Sequence, residues 1–584
     1  MTFRRALERL AIATGALAVL AIAARLVPYA NDDTYIYFNY ARNFVEGRPF
    51  AYDPRNIPSE GFTSALYLLL LIPFEAVGAN MMFAAVLLNL IATALTLYLG
   101  YRLIRANGLL DGPFVWVGVA LFGLFLARDP NIPAIVGRGL ETMWGPASVL
   151  WALLHGARIH REANDTERLE ALNLFFVAAF AAFLIRPENL ALLGAVGSLI
   201  LVAMWQRGQL AAALVRLSAF TGLMIAYFAG KLLFFGDAFP TGYYRKIHAD
   251  GSGLAYVAGA LAHYQSWLVA LVMLGAASIG LQYWRQRDHG WSAVHRLPAV
   301  SSLLPITIAC LGTLVLFLPT EPLIGFAFRY LVNFFVFLYL LVAIGISHLL
   351  SELIDRRNLH FAHGVSVVLV VGAAFWTSSL ALANKEPSQL FAQWNLYKRA
   401  EESTTSHLYI RLGEFLRRRI PATEEITFVF GDAGVFPYSM RSRFIDANGL
   451  TEPYLARLFA EPNGPEKAKR FSDYILSWQP DVIVLAFGRA DENGRWRSVP
   501  NEHSPFRGPT PISVFKDYRD FGIGYVCTVR GYYDLHFGVR RTSRHFEVIA
   551  EALLEYCEGN GLVLARGLTV TLDTEEVHFP RLTP

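Results

Sequence analysis

The chain has 584 residues, of which 54% are hydrophobic and only 17% charged, with a net charge of +4. A soluble globular protein carries about 25% charged residues, so this composition excludes a soluble fold for most of the chain. So small a net charge gives no ground for a nucleic-acid partner, and the expected partner is a lipid bilayer.

The charge deficit is concentrated in the first two thirds of the chain. There, apolar stretches long enough to cross a hydrocarbon core of about 30 Å recur between short polar loops. Spans are predicted at 8–28, 82–104, 114–128, 142–158, 171–186, 189–206, 213–235, 256–282, 299–319, 329–350 and 362–384. The stretches 114–128 and 171–186 are short for spans. The segment 62–78 is apolar but ends in Pro73, Glu75 and Gly78, so it is expected to be interfacial or re-entrant. Clusters of cations precede the first span and then fall in every second loop: Arg4, Arg5 and Arg9; Arg102 and Arg105; Arg158, His160 and Arg161; Arg207 and Arg216; Arg285, Arg287 and Arg296; Arg356 and Arg357. This positive-inside pattern puts the N-terminus in the cytoplasm and residues 385–584 outside. It keeps its phase with the first segment left in place, which favours an anchor over a cleaved signal peptide.

The loops of the opposite phase carry the unusual charges. The first, 29–61, contains Asp32, Asp33, Asp53 and Glu60. Its stretch 34–45 places Tyr35, Phe38, Arg42 and Val45 on one helical face, as for a short helix lying on the membrane surface. Later loops bring Arg138 and Glu141; Arg186 and Glu188; Asp237, Tyr243, Tyr244, Arg245 and Lys246; then Glu321 and Arg329. Taken singly, Arg138, Arg186 and Arg329 also fit snorkelling cations at span ends, and Asp237 fits a turn cap. Together they put cations where a positive-inside protein keeps few, and ionisable groups at the membrane edge mark a polar site. Two acids among several bases suit a centre that binds phosphate and moves a proton.

After Lys385 the charged residues become frequent and the apolar runs shorten. A helix is predicted over 407–419 and another over 471–478, with strands at 426–430, 481–487, 525–529 and 562–565. This alternation predicts a small α/β domain. The turn Gly431-Asp432-Ala433-Gly434 follows the first strand; a tight strand-to-helix connection is preferred there to a ligand loop. Cys310 lies within a span as a small apolar packer. Cys527 and Cys557 share the C-terminal domain, where an oxidising compartment permits a disulfide or leaves both thiols free. No Cys or His pattern indicates a metal site. The expected fold is thus a polytopic α-helical membrane protein of about eleven spans with a C-terminal extracytoplasmic α/β domain.

Several of these segments resemble one family. Asp32-Asp33 with the aromatic run through Arg42-Asn43, then Gly47, Asp53-Pro54 and Ser59-Glu60-Gly61-Phe62-Thr63-Ser64, is similar to the first outer loop of bacterial GT-C membrane glycosyltransferases. The pattern is nearest to the mycobacterial terminal arabinofuranosyltransferase type. Gly139-Leu140-Glu141-Thr142, Arg186-Pro187-Glu188, Gly236-Asp237 with Pro240-Thr241 and Lys246, and Phe328-Arg329-Tyr330 extend the resemblance. So do Gly431 to Gly434 and Ile445-Asp446 with Gly449-Leu450. Ser59 and Gly242 depart from the family's usual Val-Glu-Gly and Pro-Asn-Thr runs, which leaves the sugar open.

The resemblance implies sugar transfer from a polyprenyl-phosphate donor to a glycan or glycolipid acceptor at the outer face of a bacterial inner membrane. In that scheme Arg186, Lys246, Arg329 and Arg138 hold the phosphate. Asp32 is the expected general base and Asp33 orients its neighbours, so the anomeric centre inverts. Glu141 and Glu188 orient hydroxyls or hold the cations, Asp53 and Glu60 contact the acceptor, and Tyr243 and Tyr244 stack on sugar or pack at the interface. No cofactor is required, and a divalent cation beside Asp32 and Asp33 is compatible with the scheme. A flippase for lipid-linked sugars, or an envelope-assembly protein that has kept the fold without catalysis, are the alternatives.

Overall fold

The structure is a computed structural model. It describes residues 2–26, 31–106, 110, 112–162, 164–246, 252–285, 298–320, 326–354, 359–382, 405–487, 495–497, 510–530, 534–572 and 575–583. The expected domain boundary at 384/385 and Glu321 lie outside them.

The first 382 residues form helices: α1 (Thr2–Ala24), α2 (Asp32–Val45), α3 (Ala65–Ala76), α4 (Met81–Ala106), α5 (Phe114–Arg128), α6 (Asn131–Gly137), α7 (Trp144–Arg161) and α8 (Asp165–Ile185). They continue with α9 (Asn189–Gln206), α10 (Leu210–Phe235), α11 (Thr241–Lys246), α12 (Ser252–His263), α13 (Gln265–Arg285), α14 (Pro298–Phe317), α15 (Val332–Leu353) and α16 (Leu359–Leu382). Among the described residues seven helices are long and apolar enough to cross a membrane, or nine if each of two bent pairs is one span. The bent pairs are α5 with α6, at 70°, and α12 with α13, at 68°. Pro130 lies in the first break, where its ring and missing N–H prevent the helix from continuing. The two remaining expected spans coincide with α7 and α14, helices of 18 and 20 residues. α7 packs against α4, α8 and α9, and α15 is the central helix, buried continuously from Val332 to Gly345.

α3 has 12 residues, too few to span, as expected. α2 corrects an expectation. It does not lie on the membrane surface, because Thr34 to Asn43 are all buried. Tyr35 and Phe38, on its supposed lipid face, instead meet Tyr438 of the C-terminal domain at ring distances of 5.3 and 6.0 Å. Tyr37 and Tyr40 pack on Tyr67 and Phe62 at 5.3 and 4.9 Å. Its polar residues are enclosed as well and find partners: Arg42 donates to Asn39 Oδ1 at 2.6 Å, and Asn43 Nδ2 donates to the Tyr52 carbonyl at 2.7 Å.

The C-terminal domain, described from Thr405 onward, holds a six-stranded sheet in the order β2-β1-β3-β6-β5-β7. Its strands are β1 (Thr427–Phe430), β2 (Arg443–Asp446), β3 (Val482–Phe487), β5 (Ile523–Val529), β6 (Leu535–Arg540) and β7 (Gly561–Leu562). β1 runs parallel to β2 and β3, and the remaining pairs are antiparallel. A smaller sheet joins β4 (Arg495–Arg497), β8 (Leu568–Leu572) and β9 (Glu575–Phe579). Helix Thr405–Arg419 contains the first predicted helix, and Pro465–Ser477 covers the second up to its cap Trp478. Cys527 and Cys557 form a disulfide between β5 and helix Phe546–Asn560, and Cys310 is buried within α14.

Candidate functional site

A cavity of about 530 Å³ lies where the loops after the spans meet the C-terminal domain. Four separate turns supply its charged wall. Asp33 stands in the first turn of α2, where the helix N-terminus favours an acid. Glu141 opens the short turn Glu141–Met143 before α7. Arg186 and Glu188 flank Pro187 in the tight connection from α8 to α9, and Arg329 lies in the turn Phe326–Leu331 before α15. Ile36, Phe62, Phe239, Leu316 and Phe317 supply apolar wall, and Leu450 enters from the C-terminal domain.

Local sequence explains these placements. Gly139 has φ +73, and a Cβ there would press on Ala85, Thr34 and Met82 at 3.1 to 3.3 Å, so glycine lets the chain turn hard against α2 and α4. Thr34 Oγ1 donates to the Arg138 carbonyl at 2.7 Å, and the Tyr67 hydroxyl donates to the Gly139 carbonyl at 2.7 Å. Those bonds fix the segment that ends in Glu141. Before Arg329, Ala327 and Phe328 both adopt left-handed backbone, with φ 50 and 52, which redirects the chain into α15.

The charges are paired but leave room for a ligand. Arg329 Nη2 is 2.9 Å from Asp33 Oδ2 and donates to the Tyr330 hydroxyl at 2.9 Å. Arg186 Nε is 2.7 Å from Glu188 Oε1. The Tyr330 ring lies between the two cations, its centroid 4.8 Å from the Arg329 guanidinium and 5.6 Å from that of Arg186. Burial works to lower the Arg186 guanidinium, but Glu188 and Glu141 raise it on balance, so it stays charged. Asp33 Oδ1 accepts no hydrogen bond among the described residues.

Asp33, Glu141, Arg186, Glu188, Arg329 and Tyr243 thus converge on one cavity. Tyr243 stacks on Phe239 at 4.5 Å. Lys246 ends α11, but its side chain lies outside the described residues.

Five other candidates lie elsewhere. Asp32, the expected base, turns away: its Oδ1 accepts the Val435 N–H at 2.8 Å. Gly434 packs so closely on Asp32 that any Cβ there would collide with the Asp32 backbone. Removal from water pushes the Asp32 carboxyl well above the ordinary carboxylate range, and Asp432 adds to the shift. The Gly431–Gly434 turn is the expected strand-to-helix connection, seated on α2. Asp53 does not reach the cavity; it accepts from Arg55 Nε at 2.8 Å and from the Phe444 N–H at 2.7 Å. Arg55 in turn pairs with Glu452, which accepts from the Tyr474 hydroxyl at 2.7 Å.

Glu60 is 2.6 Å from Lys231 Nζ of α10, and its carbonyl accepts the Thr241 N–H at 2.9 Å. Arg138 contributes its carbonyl to Thr34, and neither it nor Tyr244 lines the cavity. Asp32 and Asp33 point to different partners, Val435 and Arg329. Among the described residues no group of three His, Cys, Asp or Glu side chains could hold a metal ion.

Tyr37 and Lys231 carry no sequence signature of their own, and Leu450 and Tyr330 stand in the sequence only as parts of motifs. The position of Lys231 in the apolar run of α10 is the available signal, because an intramembrane cation demands a partner.

With this geometry in place, the comparisons bear on the fold. ArnT from Cupriavidus metallidurans bound to undecaprenyl phosphate aligns over 92% of this chain and 98% of its own, with a TM-score of 0.53 at 13% identity. The same protein in its apo state aligns over 90% and 97%, with a TM-score of 0.51 at 13% identity. The fold is the GT-C fold. The Archaeoglobus fulgidus oligosaccharyltransferase AglB, in complex with an inhibitory peptide and a dolichol-phosphate, gives a TM-score of 0.47 at 12% identity, over 94% of this chain and 78% of that one. A family model described as a domain of unknown function (DUF8728) matches residues 392–535. No curated protein matches the chain.

Proposed function

We propose that the chain is a membrane glycosyltransferase that moves a sugar from a polyprenyl-phosphate donor to a glycan or glycolipid acceptor on the extracytoplasmic face of a bacterial inner membrane. The observation that carries this is the convergence of Arg186, Arg329, Asp33, Glu141 and Glu188 on one cavity with an apolar wall. A lipid-linked phosphate needs both parts: aliphatic surface for the lipid, and fixed cations in a dry place for the charge that develops as the sugar leaves. The lipid phosphate bound to ArnT, which shares the fold, supports a donor of that kind.

In this scheme the phosphate enters between Arg186 and Arg329, with Tyr330 fixing their spacing and Lys246 as a third cation. Phosphate binding draws Arg329 from Asp33. The freed carboxylate takes the proton of the acceptor hydroxyl as that oxygen attacks the anomeric carbon, and the C–O bond to phosphate breaks. One displacement without a covalent intermediate inverts the centre. Glu141 and Glu188 hold the cations and orient sugar hydroxyls, and the scheme requires no metal. The motif resemblance favours an arabinofuranose donor and a cell-envelope acceptor.

Purified protein in nanodiscs, given a panel of polyprenyl-phosphate pentoses and hexoses, tests the proposal. Transfer should be lost in Asp33→Asn and Arg329→Gln. Wild-type rates in Asp33→Asn would end the proposal for Asp33 as base.

A further inference from the structure

Two buried amides join the two turns that carry the cavity's arginines. Asn189 opens α9 three residues after Arg186, and Asn333 stands in the first turn of α15 four residues after Arg329. Neither lines the cavity, and their exposures are 0% and 4%. Asn333 Nδ2 donates to Asn189 Oδ1 at 2.9 Å. α9 and α15 each pack against α7 and α14, and this bond links them directly.

Asn189 also grips its own turn. Its Nδ2 donates to the Ala182 carbonyl at 3.1 Å, and that carbonyl accepts the Arg186 N–H at 2.9 Å. The Asn189 N–H closes on the Arg186 carbonyl at 3.0 Å. One residue therefore fastens the chain on both sides of Arg186. The Ala182 carbonyl can only accept, so the Asn189 nitrogen faces it and the Asn189 oxygen faces Asn333. That orients the Asn333 amide in turn, with its nitrogen toward α9 and its oxygen toward α7.

Gly145 of α7 leaves the space that this arrangement needs. A Cβ there would lie 3.2 Å from Asn333 Oδ1 and 3.3 Å from Arg186 Cδ, so the amide and the arginine stem rest on the same spot of α7. Asn333 Oδ1 accepts no hydrogen bond among the described residues. A buried amide oxygen left unpaired is unfavourable, whereas two apolar side chains of the same shape would be close to neutral. Stability alone gives no reason for amides here.

On the basis that the cavity takes a lipid phosphate, we propose that Asn189 and Asn333 are positioning residues whose bond sets the span between Arg186 and Arg329. Tyr330 separates the two guanidinium groups, and the amide bond fixes the backbones that carry them. Cations held at the right separation beforehand lose less freedom when a phosphate arrives.

The test measures binding of undecaprenyl phosphate and of undecaprenol to the full chain in phosphatidylcholine nanodiscs, read by native mass spectrometry. The difference between the two lipids isolates the phosphate. Wild type should prefer the phosphate form. The double variant Asn189→Leu, Asn333→Leu should bind undecaprenyl phosphate about tenfold more weakly and undecaprenol within about twofold of wild type. Its thermal midpoint should stay at or above that of wild type, because leucine has nearly the shape of asparagine and needs no partner. Asn189→Ala and Asn333→Ala should each lose as much phosphate affinity as both together, since either one removes the bond. Gly145→Ala keeps the bond but presses on Arg186, and should weaken phosphate binding by about threefold. Leu341→Ala, a buried cut about two turns further along α15, should lower the midpoint and leave phosphate binding unchanged.

Equal phosphate affinity in wild type and the double variant would overturn the proposal. So would a parallel loss of undecaprenol, the mark of a collapsed cavity, or the same loss in Leu341→Ala, the mark of general loosening. A wild type that bound both lipids equally would end the donor reading of the cavity itself, and this role for the two amides with it.

Discussion

Asp32 and Asp33 are neighbours in sequence and belong to two regions built on opposite rules. In the seam between the first loop and the C-terminal domain, acids are saturated. Asp32 takes a backbone N–H, Asp53 takes Arg55 and a backbone N–H, and Asp446 accepts the Asn448 and Thr451 N–H groups, each at 2.9 Å. In the cavity, Asp33 and Glu188 pair with Arg329 and Arg186 and keep space beside them. Saturated acids hold two parts of a chain together, whereas acids with a free side are able to act on something that arrives. The difference lies in what surrounds each carboxylate, since the residue types are the same.

The largest expected effect tests that division directly. Asp33→Asn should lower transfer by about 10²–10⁴-fold, the usual weight of a general base, with an unchanged thermal midpoint. Asp32→Asn should chiefly lower the midpoint. Initial rates and melting curves of the two variants decide between them, and a stability-neutral collapse of rate in Asp32→Asn would reverse the assignment.

Arg55→Ala should cost about 3–5 kcal/mol, because it leaves Asp53 and Glu452 enclosed without their cation. Chemical denaturation should show the loss, with limited proteolysis releasing the C-terminal domain early. If the variant instead kept its stability and lost transfer, Asp53 would belong with the substrate after all.

The seam should also respond to pH. Burial pushes the Asp446 carboxyl from 3.8 up to about 7. The folded state therefore binds a proton that the unfolded chain has released. That stability is fully present below about pH 4 and is lost as pH rises to about 7, with a total on the order of a few kcal/mol. Melting curves between pH 4 and 8 should show this decline, and Asp446→Asn should flatten it. A decline of the same size in the variant would assign it to another group.

The smallest effects concern two adjacent tyrosines. Tyr243→Ala should raise the donor KM by about threefold to tenfold through loss of a stacking surface in the cavity wall. Tyr244→Phe should change KM and kcat by less than about twofold. Equal effects at both positions would mean that the cavity extends around α11.

The span pattern was legible because a long apolar run has few other uses. The turn Arg186-Pro187-Glu188 was legible for a related reason: charges between two apolar runs must sit at a membrane edge. Roles within the first loop were less legible, since an acid at such an edge looks alike whether it faces a ligand or a partner. The partners of Asp32 and Asp53, Val435 and Phe444, are hundreds of residues away in sequence. The aromatic periodicity of 34–45 fits a lipid-facing stripe equally well, because the opposing helix Val435–Met440 gives no local sign of where it docks. Tyr330 became meaningful only when Arg186 and Arg329 were seen on either side of it.

The pair between Glu60 and Lys231 carries a consequence for how the protein is made. Glu60 emerges from the ribosome long before Lys231, and the pair joins a loop to a helix inserted several steps later. A nascent chain that stops before α10 holds a carboxylate whose cation does not yet exist. A chain that has just delivered α10 brings that cation to the membrane end of the helix, where an unpaired charge is costly. The first loop to be translated is thus among the last to be locked, and biogenesis completes the cavity only after the membrane has received the helix that anchors it.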